Sequence, residues 1–300
     1  MISFKRLSEC TLVEAVELWN RGFEGYYFPM TTNVFSFVQR VANEGLSLDH
    51  SIVAVKDGQL IGFVLTGIRN LNGKKVAWNG GTGVVPEYRH QGVGKALMKE
   101  VFELYRREGV SVATLEAISA NEKAISLYEQ MGYQVVDKLY FYHQSEPLQP
   151  LVSGAASSVE FNYRTKKGVP HDVQILPFYR AEAAWQTQWA SVRDGESLVV
   201  IDEDGEPIAY ALFRRTRNEE GKLLSINLYQ AEVKPNHPNE KDIYIYLLTK
   251  VYCPLELAVN RGTVNIPASN HLLTSLLLEW GFSSRAEQVW MKCQMDNFSC

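Results

Sequence analysis

The residues best suited to chemistry surround a glycine-containing turn, residues 89–94 (the glycine turn). An apolar strand that ends at Val85 runs into this turn, and a helix with an apolar stripe begins near Gly92. Gly92 and Gly94 carry no Cβ atom, so a ligand could approach the backbone there closely. The first N–H groups of a helix lack intrahelical partners and carry partial positive charge. The turn therefore predicts a binding site for phosphate or pyrophosphate.

Two common phosphate-binding sequences do not fit this turn. A P-loop requires Gly-Lys followed by Ser or Thr, whereas Lys95 is followed by Ala96. A dinucleotide fingerprint requires a third glycine, and Leu97 occupies that position. The remaining pattern is Arg-x-x-Gly-x-Gly, which begins at Arg89 and is preceded by Val-Pro-Glu-Tyr.

A second motif follows the next strand and reads Asn-Glu-Lys-Ala-Ile-Ser-Leu-Tyr-Glu-Gln-Met-Gly-Tyr, from Asn121 to Tyr133. Asn121 is a preferred residue for capping a helix, and Gly132 is typical of a helix end. The two motifs occur in this order, separated by one helix and one strand. Together they resemble the signatures of the GNAT superfamily of acetyl-CoA-dependent N-acetyltransferases. The resemblance covers residues 1 to about 143.

The resemblance implies an acetyl-CoA site and no metal. The pyrophosphate would bind the N–H groups of residues 91–95, and the pantetheine arm would pair with the edge of the strand that ends at Val85. An N–H group of Val84 or Val85 would polarise the thioester carbonyl. The implied cofactor-binding residues are Val84, Val85, Arg89, Gln91, Gly92, Val93, Gly94, Lys95 and Asn121.

The resemblance also implies that Tyr128 protonates the thiolate of CoA as it leaves. Tyr128 lies seven residues after Asn121, about two helical turns, so both residues lie on one helix face. A phenol has a pKa near 10 and stays protonated at neutral pH, as an acid must. The other reading of Tyr128 is a half-buried tyrosine on an amphipathic helix.

Several roles remain open at this point. Arg89 faces either phosphate or solvent, and Asn121 contacts the pantetheine or a water, or only caps its helix. No general base stands out among three candidates: Glu24, Glu116 and His143. The aromatic loop, residues 23–29, contains Tyr26, Tyr27 and Phe28, which either wall an acceptor pocket or belong to the core.

The elements that must position these residues follow from periodicity and turn signals. Helices are expected at about 11–22, 33–43, 92–109 and 121–132, and strands at 2–6, 51–55, 60–68, 76–85, 110–117 and 133–142. Asp57-Gly58 predicts a hairpin between the second and third strands. Residues 133–142 are expected to supply the last strands of the first half. This is the element order of the GNAT fold.

The second half of the chain repeats the first. Three landmarks recur at a constant spacing of 149 residues: Pro86 and Pro235, Asn121 and Asn270, Gly132 and Gly281. The predicted fold class is therefore α/β (α+β), with two tandem GNAT-like domains, each a mixed, mainly antiparallel sheet flanked by helices. The predicted domains are residues 1–145 and 170–300, joined by a linker at 146–169 that is rich in Pro, Gly, Ala and Ser. Residues 160–164 are expected to form a strand that either opens the second half or pairs across the two halves.

The second domain departs from the family pattern where the cofactor would bind. After Pro235 no Gly-x-Gly appears, Pro238 cannot donate an N–H, and Glu240 and Asp242 would repel a pyrophosphate. Leu277 stands at the position that matches Tyr128. We therefore expect the second domain to be degenerate, without cofactor binding or catalysis.

Composition narrows the class of protein. The net charge of -4 over 300 residues argues against a nucleic-acid-binding protein. The sequence contains no run of eighteen apolar residues, so no membrane span is expected. The four cysteines show neither metal-ligand nor disulfide spacing, which favours reduced thiols in a cytoplasmic protein. The leading hypothesis is an N-acetyltransferase that acts on a primary amine of a small molecule or a peptide. The alternative is a non-catalytic acyl-CoA-binding or regulatory protein.

Overall fold

A computed structural model describes residues 1–151 and 163–295. In chain order the strands are β1 (Ile2–Arg6), β2 (Leu46–Lys56), β3 (Gln59–Leu71), β4 (Lys74–Val84), β5 (Val112–Ile118), β6 (Gln134–Gln144), β7 (Arg164–Gly168), β8 (Glu196–Ile201), β9 (Pro207–Arg217), β10 (Leu223–Val233), β11 (Asn260–Thr263), β12 (Ile266–Pro267) and β13 (Ser283–Gln294). The helices are α1 (Leu12–Gly22), α2 (Val34–Glu44), α3 (Val93–Arg107), α4 (Glu122–Gln130), α5 (Glu240–Tyr252) and α6 (His271–Glu279).

The chain divides into two compact units. Unit 1 contains Met1–Val136 together with the chain from Val289, and unit 2 is Asp137–Gln288. In unit 1 the strand order is β1-β2-β3-β4-β5-β13, and in unit 2 it is β6-β11-β10-β9-β8-β7. The pairings β4–β5 and β10–β11 are parallel, and the pairings β1–β2, β2–β3, β3–β4, β7–β8, β8–β9 and β9–β10 are antiparallel. The predicted fold class, mixed and mainly antiparallel sheets flanked by helices, is confirmed.

Local signals explain most of unit 1. Asp57 and Gly58 both have positive φ values, 51° and 78°, and connect β2 to β3 as the Asp-Gly signal predicts. The apolar stripe of α3 is buried against the sheet, with Leu97 and Val101 fully inaccessible. These elements present the N-terminus of α3 beside the end of β4, which is where the predicted site lies.

The internal repeat is visible in the backbone of α4 and α6. Asn121 Oδ1 accepts the Ala124 N–H at 3.3 Å, and Asn270 Oδ1 accepts the Leu273 N–H at 3.1 Å. At the other ends of these helices, Gly132 and Gly281 have φ values of 83° and 84°. The repeated residues thus perform the same capping functions in both units.

The last strands of the two halves of the chain differ in number and position from those predicted from the sequence. One strand, β6, extends from Gln134 to Gln144 where several short strands were expected, because this segment contains no Gly, Pro or Asn that would divide it. Asp137 and the residues after it belong to unit 2, whereas β13 supplies the strand next to β5 in unit 1. The two units therefore do not coincide with the predicted segments 1–145 and 170–300, which remain a proposal about how the duplication is organised.

The predicted linker, residues 146–169, contains ordered structure in its described parts. Leu148 is buried, and its N–H donates to Leu255 O at 2.9 Å. The expected strand at 160–164 falls partly outside the described residues. The observed strand is β7, and it pairs with β8 and so opens the second half.

We expect a fragment that ends at residue 145 not to fold on its own. It would lack Val289, Met291, Cys293 and Met295, four members of the unit 1 core, and each fully buried side chain of this kind contributes roughly 1.5–3 kcal/mol. That loss is comparable with a domain's total stability of about 5–15 kcal/mol. Circular dichroism during denaturation would check this, with the control fragment fused through a flexible linker to residues 283–295. Equal cooperative unfolding of both fragments would contradict the expectation.

Candidate active site

The glycine turn ends in a backbone arrangement that is open to a ligand. Gly92 is the N-terminal cap of α3 and has a φ of 79°, and a Cβ atom built on it would meet no described atom within 4 Å. The first bond of the helical ladder runs from Ala96 N–H to Gly92 O at 3.0 Å. The N–H groups of Val93, Gly94 and Lys95 precede this ladder. Gln91, Gly92 and Lys95 are exposed, so an anion could reach these donors.

Arg89 is held by backbone carbonyl groups. Its Nε donates to Val84 O at 2.9 Å, and its Nη2 donates to Gly22 O at 3.1 Å and to Glu24 O at 2.7 Å. These bonds tie the glycine turn to the end of β4 and to the end of α1. Two roles were left open for Arg89, namely contact with phosphate and exposure to solvent. This geometry favours a different role, in which Arg89 positions the glycine turn.

The edge of β4 is open next to the glycine turn. Strand β4 pairs with β5 only from Val76 with Val112 to Asn79 with Leu115, yet β4 continues to Val84. Gly80 is an extra residue in the pairing with β3, because Thr66 pairs with Asn79 and Leu65 pairs with Gly81. Such a bulge bends a strand and changes its twist. Beyond Asn79 the two parallel strands therefore diverge and leave the β4 edge available.

Hydrogen bonding to β3 decides which backbone groups face that open edge. The Val85 N–H donates to Ile61 O at 3.0 Å, and the Val85 carbonyl accepts the Tyr88 N–H at 2.9 Å. The backbone groups of Val85 are thus occupied, which favours Val84 as the one of the two predicted N–H donors that could serve a thioester. Because antiparallel pairs alternate between bonded and non-bonded positions, Val84 and Thr82 direct their backbone groups away from β3.

Tyr128 lies beside this edge within a small polar group. Its side chain is 7% exposed. Burial raises the pKa of its phenol, and hydrogen bonds with the side chains of Thr82 and Asn79 oppose that rise. Asn79 Nδ2 in turn donates to Thr82 Oγ1 at 2.8 Å. We refer to Tyr128, Thr82 and Asn79 as the polar triad.

Asn79 and Thr82 were missed by the sequence analysis. A signal was present, because the strand reads Trp-Asn-Gly-Gly-Thr-Gly from Trp78 to Gly83. Glycines inside a strand often mark a bulge or the close approach of another backbone, and a buried Asn needs a specific partner. That combination could have indicated a polar site inside the sheet.

Unit 2 builds the same local structure without the polar triad. Tyr229, 149 residues after Gly80, is the extra residue between the pairs of Leu228 and Gln230. The positions that match Asn79, Thr82 and Tyr128 are Leu228, Ala231 and Leu277, all buried and apolar. The bulge and the helix caps therefore do not require the polar triad, which argues that the triad serves function rather than folding.

The open edge is also closed in unit 2. Tyr244, 149 residues after Lys95, is buried, and its hydroxyl donates to Ala231 O at 3.3 Å. The same hydroxyl accepts the Val233 N–H. Ala231 and Val233 match Thr82 and Val84 of unit 1. A phenol thus occupies in unit 2 the backbone groups that unit 1 leaves accessible.

The three candidate general bases lie in different parts of the structure. The Trp78 indole donates to Glu116 Oε2 at 2.6 Å, and Glu116 is the first residue of β5 beyond the last pair with β4. His143 belongs to unit 2 and contacts Asn260 Oδ1 at 3.3 Å. Glu24 is exposed. Glu116 is thus the candidate base that lies where the strands diverge.

The aromatic loop is attached to the start of α4. The Tyr27 hydroxyl donates to Ala120 O at 2.9 Å, and the Phe23 and Tyr26 rings pack edge to face at 5.1 Å. Tyr27 and Phe28 are 52% and 39% exposed, so they are not core residues. The loop therefore borders the region where α4 and the end of β5 meet.

Comparisons with known proteins found a matching family profile and structures with the same fold. The sequence profile of the Acetyltransferase (GNAT) family matches residues 12–133. A mycothiol acetyltransferase from Propionibacterium freudenreichii subsp. shermanii is 31% identical over 101 residues, which is 34% of this chain and 32% of that protein. The chain spans about a third of the length of the curated relatives that it matches.

Two solved structures share the fold over nearly the full length. A GCN5-related N-acetyltransferase from Sphaerobacter thermophilus superposes with a TM-score of 0.64 at 14% identity, covering 98% of this chain and 96% of that one. A tandem GNAT protein from the clavulanic acid biosynthesis pathway superposes with a TM-score of 0.63 at 16% identity, covering 100% of both chains. These two likenesses establish the fold. Residues 12–133 thus resemble the acetyltransferase (GNAT) family, and the chain shares the fold of these two proteins.

Proposed function

We propose that unit 1 is an N-acetyltransferase that moves an acetyl group from acetyl-CoA to a primary amine. The observation that carries this proposal is the difference between the units. Unit 1 combines the glycine turn, the open β4 edge and the polar triad, whereas unit 2 has lost all three and kept the surrounding fold. Loss of all three features in only one copy is the pattern expected when they serve one common activity.

The residues of unit 1 suit a nucleoside-pyrophosphate ligand. Gly92 leaves space for the pyrophosphate, and the N–H groups of Val93, Gly94 and Lys95 are the donors at the helix terminus. Arg89 keeps this turn in register with the end of β4. Thr82, whose backbone groups face the open edge, then offers its carbonyl and its N–H to the amide groups of the pantetheine arm, as an added strand would.

Catalysis follows from the same geometry. The Val84 N–H, directed away from β3, polarises the thioester carbonyl and stabilises the oxyanion that forms when an amine attacks. The C–S bond then breaks, its electron pair goes to sulfur, Tyr128 supplies a proton to that sulfur, and the new amide nitrogen loses its extra proton to solvent. Because burial raises the pKa of Tyr128, the phenol stays protonated at neutral pH and is ready to act as an acid.

The acceptor is an amine of a small molecule or a peptide. It approaches from the side of the aromatic loop, where Glu116 lies at the divergence of β4 and β5. We assign Glu116 the task of accepting the proton of the acceptor ammonium, because the attacking amine must be neutral.

Among residues 1–151 and 163–295, no helix is long and apolar enough to cross a membrane.

The experiment that tests the function measures CoA release from acetyl-CoA in the presence of a panel of amines. The panel contains amino acids, polyamines, aminoglycosides and peptides with free N-termini, and mass spectrometry identifies the acetylated product. Acetyl-CoA binding without turnover across the panel would instead favour a non-catalytic acyl-CoA-binding protein.

Calorimetry should find one acetyl-CoA bound per chain. The reason is that Tyr244 occupies the backbone groups of unit 2 that match the open edge of unit 1, and that Glu240 and Asp242 lie in the first turn of α5. Two equivalent sites per chain would show that the closed edge in unit 2 opens for the ligand.

A further inference from the structure

The Trp78 indole makes a short hydrogen bond to the carboxylate that lies where β4 and β5 diverge. Its Nε1 donates to Glu116 Oε2 at 2.6 Å. Trp78 is 2% exposed and precedes Asn79, the last residue of β4 that pairs with β5. Glu116 follows Leu115, the partner of Asn79. At the start of the gap, a buried indole therefore joins the strand proposed to bind acetyl-CoA to the strand that carries the candidate base.

Glu116 and Tyr128 lie on opposite faces of the sheet. Leu115 and Ala117 belong to the core cluster that also contains Tyr128. Successive side chains of a strand alternate between its two faces, so Glu116, which lies between these two residues, points away from that cluster. In the tetrahedral intermediate of acetyl transfer, the attacking nitrogen and the leaving sulfur are different substituents of one carbon. A base that serves the nitrogen and an acid that serves the sulfur can therefore act from opposite faces of the gap.

The bulge in β4 makes room for the indole. A Cβ atom built on Gly80 would lie 2.7 Å from Cζ3 of the Trp78 ring, which is closer than side-chain atoms approach each other. The Gly80 carbonyl accepts a hydrogen bond from Arg40 Nη2 of α2 at 2.7 Å, which holds the bulge in place. The position of the indole thus depends on a glycine at the extra residue of the strand.

Unit 2 has the same bulge but neither partner of this hydrogen bond. The positions that match the indole and the carboxylate, just before and just after the last pair of β10 with β11, hold Asn227 and Val264. Asn227 Nδ2 instead donates to Ser225 Oγ on its own strand, at 3.5 Å. The extra residue of the bulge is Tyr229, since no indole at position 227 requires a glycine there. The strands of unit 2 thus diverge without an indole–carboxylate bond, which argues that the bond in unit 1 serves function.

We propose that Trp78 is a positioning residue for Glu116: its indole N–H fixes the orientation of the carboxylate that accepts the proton of the acceptor ammonium. This inference rests on the proposed function. The ammonium proton passes to Glu116, the neutral amine attacks the thioester carbonyl, and Glu116 then releases the proton to solvent, while the indole keeps its own proton throughout. A hydrogen bond donated by a neutral group also favours the charged form of a carboxylate, so the base is ionised when the ammonium arrives.

The first test compares Trp78→Phe with Trp280→Phe. Both replace a buried tryptophan whose indole donates at 2.6 Å, but the acceptor of Trp280 is the neutral carbonyl of Gln149 in unit 2. We expect Trp78→Phe to lower kcat about ten-fold, the effect of losing one hydrogen bond to a charged group, with the KM and Kd for acetyl-CoA unchanged. Trp280→Phe should keep the wild-type kcat. Unchanged kcat in folded Trp78→Phe would overturn the proposal.

A double-mutant cycle shows whether Trp78 acts through Glu116. Glu116→Gln removes the base and should lower kcat about 10²-fold or more. If the indole works only by orienting this carboxylate, adding Trp78→Phe to Glu116→Gln should lower kcat by less than about two-fold further. Losses that add up would mean that Trp78 affects turnover without Glu116, and would also overturn the proposal.

Nuclear magnetic resonance of isotope-labelled tryptophan detects the hydrogen bond itself and does not depend on turnover. A charged acceptor strengthens a hydrogen bond, so Glu116→Gln should move the Trp78 indole proton upfield and leave the Trp280 signal in place. Equal Trp78 signals in wild type and Glu116→Gln would refute the pairing, even if Trp78→Phe fails to fold. A shifted signal in a chain that binds acetyl-CoA but acetylates no amine would refute the proposed function, and with it this role of Trp78, while the hydrogen bond stands.

Discussion

A Gly92→Glu chain should fold and yet lose measurable binding of acetyl-CoA. Space next to Gly92 is open, so a Cβ atom added there meets no described atom within 4 Å. The same space is where the proposed pyrophosphate lies, beside the N–H groups of Val93, Gly94 and Lys95. A carboxylate there would fill the space, satisfy the helix terminus itself and repel the phosphates. We expect the Kd measured by calorimetry to rise by roughly a hundred-fold or more, which corresponds to about 3 kcal/mol.

Two matched variants separate charge from backbone strain. Gly92 has a φ of 79°, a value that disfavours any side chain, so some loss of stability accompanies every substitution there. Gly92→Gln introduces the same strain and nearly the same volume without charge, and should weaken binding less than Gly92→Glu. Gly73 has a φ of 78°, lies in the β3–β4 turn and also has no described atom near its Cβ position. At about 3.3 Å per strand residue, that turn is roughly 30 Å from the end of β4, so Gly73→Glu should bind normally. Near-wild-type affinity in folded Gly92→Glu would remove the glycine turn from the cofactor site.

The parts of the site that the sequence predicts are those set by local signals. The strand, the glycine turn and the start of α3 follow one another along the chain, and the capping role of Asn121 depends only on the next three residues. Tyr128 follows from its spacing to Asn121 on one helix face. Each of these predictions requires only the periodicity and the turn chemistry of neighbouring residues.

The parts that the sequence does not predict depend on pairing between strands. Whether Val84 or Val85 directs its N–H to the open edge is decided by the alternation of hydrogen bonds with β3. The extra residue at Gly80 resets that alternation, and its position cannot be read from composition. The same bulge brings Asn79 and Thr82 toward Tyr128, and so the polar triad appears only when the register of β4 is known.

Two further features depend on residues that are distant in the sequence. One is the position of β13 next to β5, and the other is the closed strand edge in unit 2. Nothing near residue 145 indicates that the strand beside β5 comes from the end of the chain, because β13, with its buried run at 289–291, reads like any partly buried strand. Tyr244 resembles an ordinary buried residue of an apolar helix. Its role follows only from its hydroxyl contacts with Ala231 and Asn270, which lie 13 and 26 residues away in the chain.

A Tyr128→Phe enzyme should retain its fold and its affinity for acetyl-CoA. The phenyl ring keeps its edge-to-face packing on Tyr133, with a centroid distance of 5.9 Å. Thr82 and Asn79 keep their hydrogen bond to each other when the phenol is gone. The groups proposed to bind pyrophosphate and pantetheine are backbone atoms of other residues, so the Kd should remain within a few-fold of wild type. Tyr105→Phe is the matched control, because it removes another buried phenol, one that bonds Thr66 at 3.4 Å.

Turnover of Tyr128→Phe should fall about 10²-fold or more, whereas Tyr105→Phe should keep wild-type turnover, because only Tyr128 is positioned to give a proton to the leaving sulfur. A thiolate is a good leaving group, and water can protonate it after departure. For that reason the rate should be measured at saturating acceptor and in a single turnover, where the chemical step limits. In the wild type, activity should persist as pH rises toward the pKa of Tyr128 and decline above it, because an acid must hold its proton and burial raises that pKa. The variant should lack this decline. A large loss of affinity with unchanged turnover would make Tyr128 a binding residue, and unchanged single-turnover rates would remove its role as the acid.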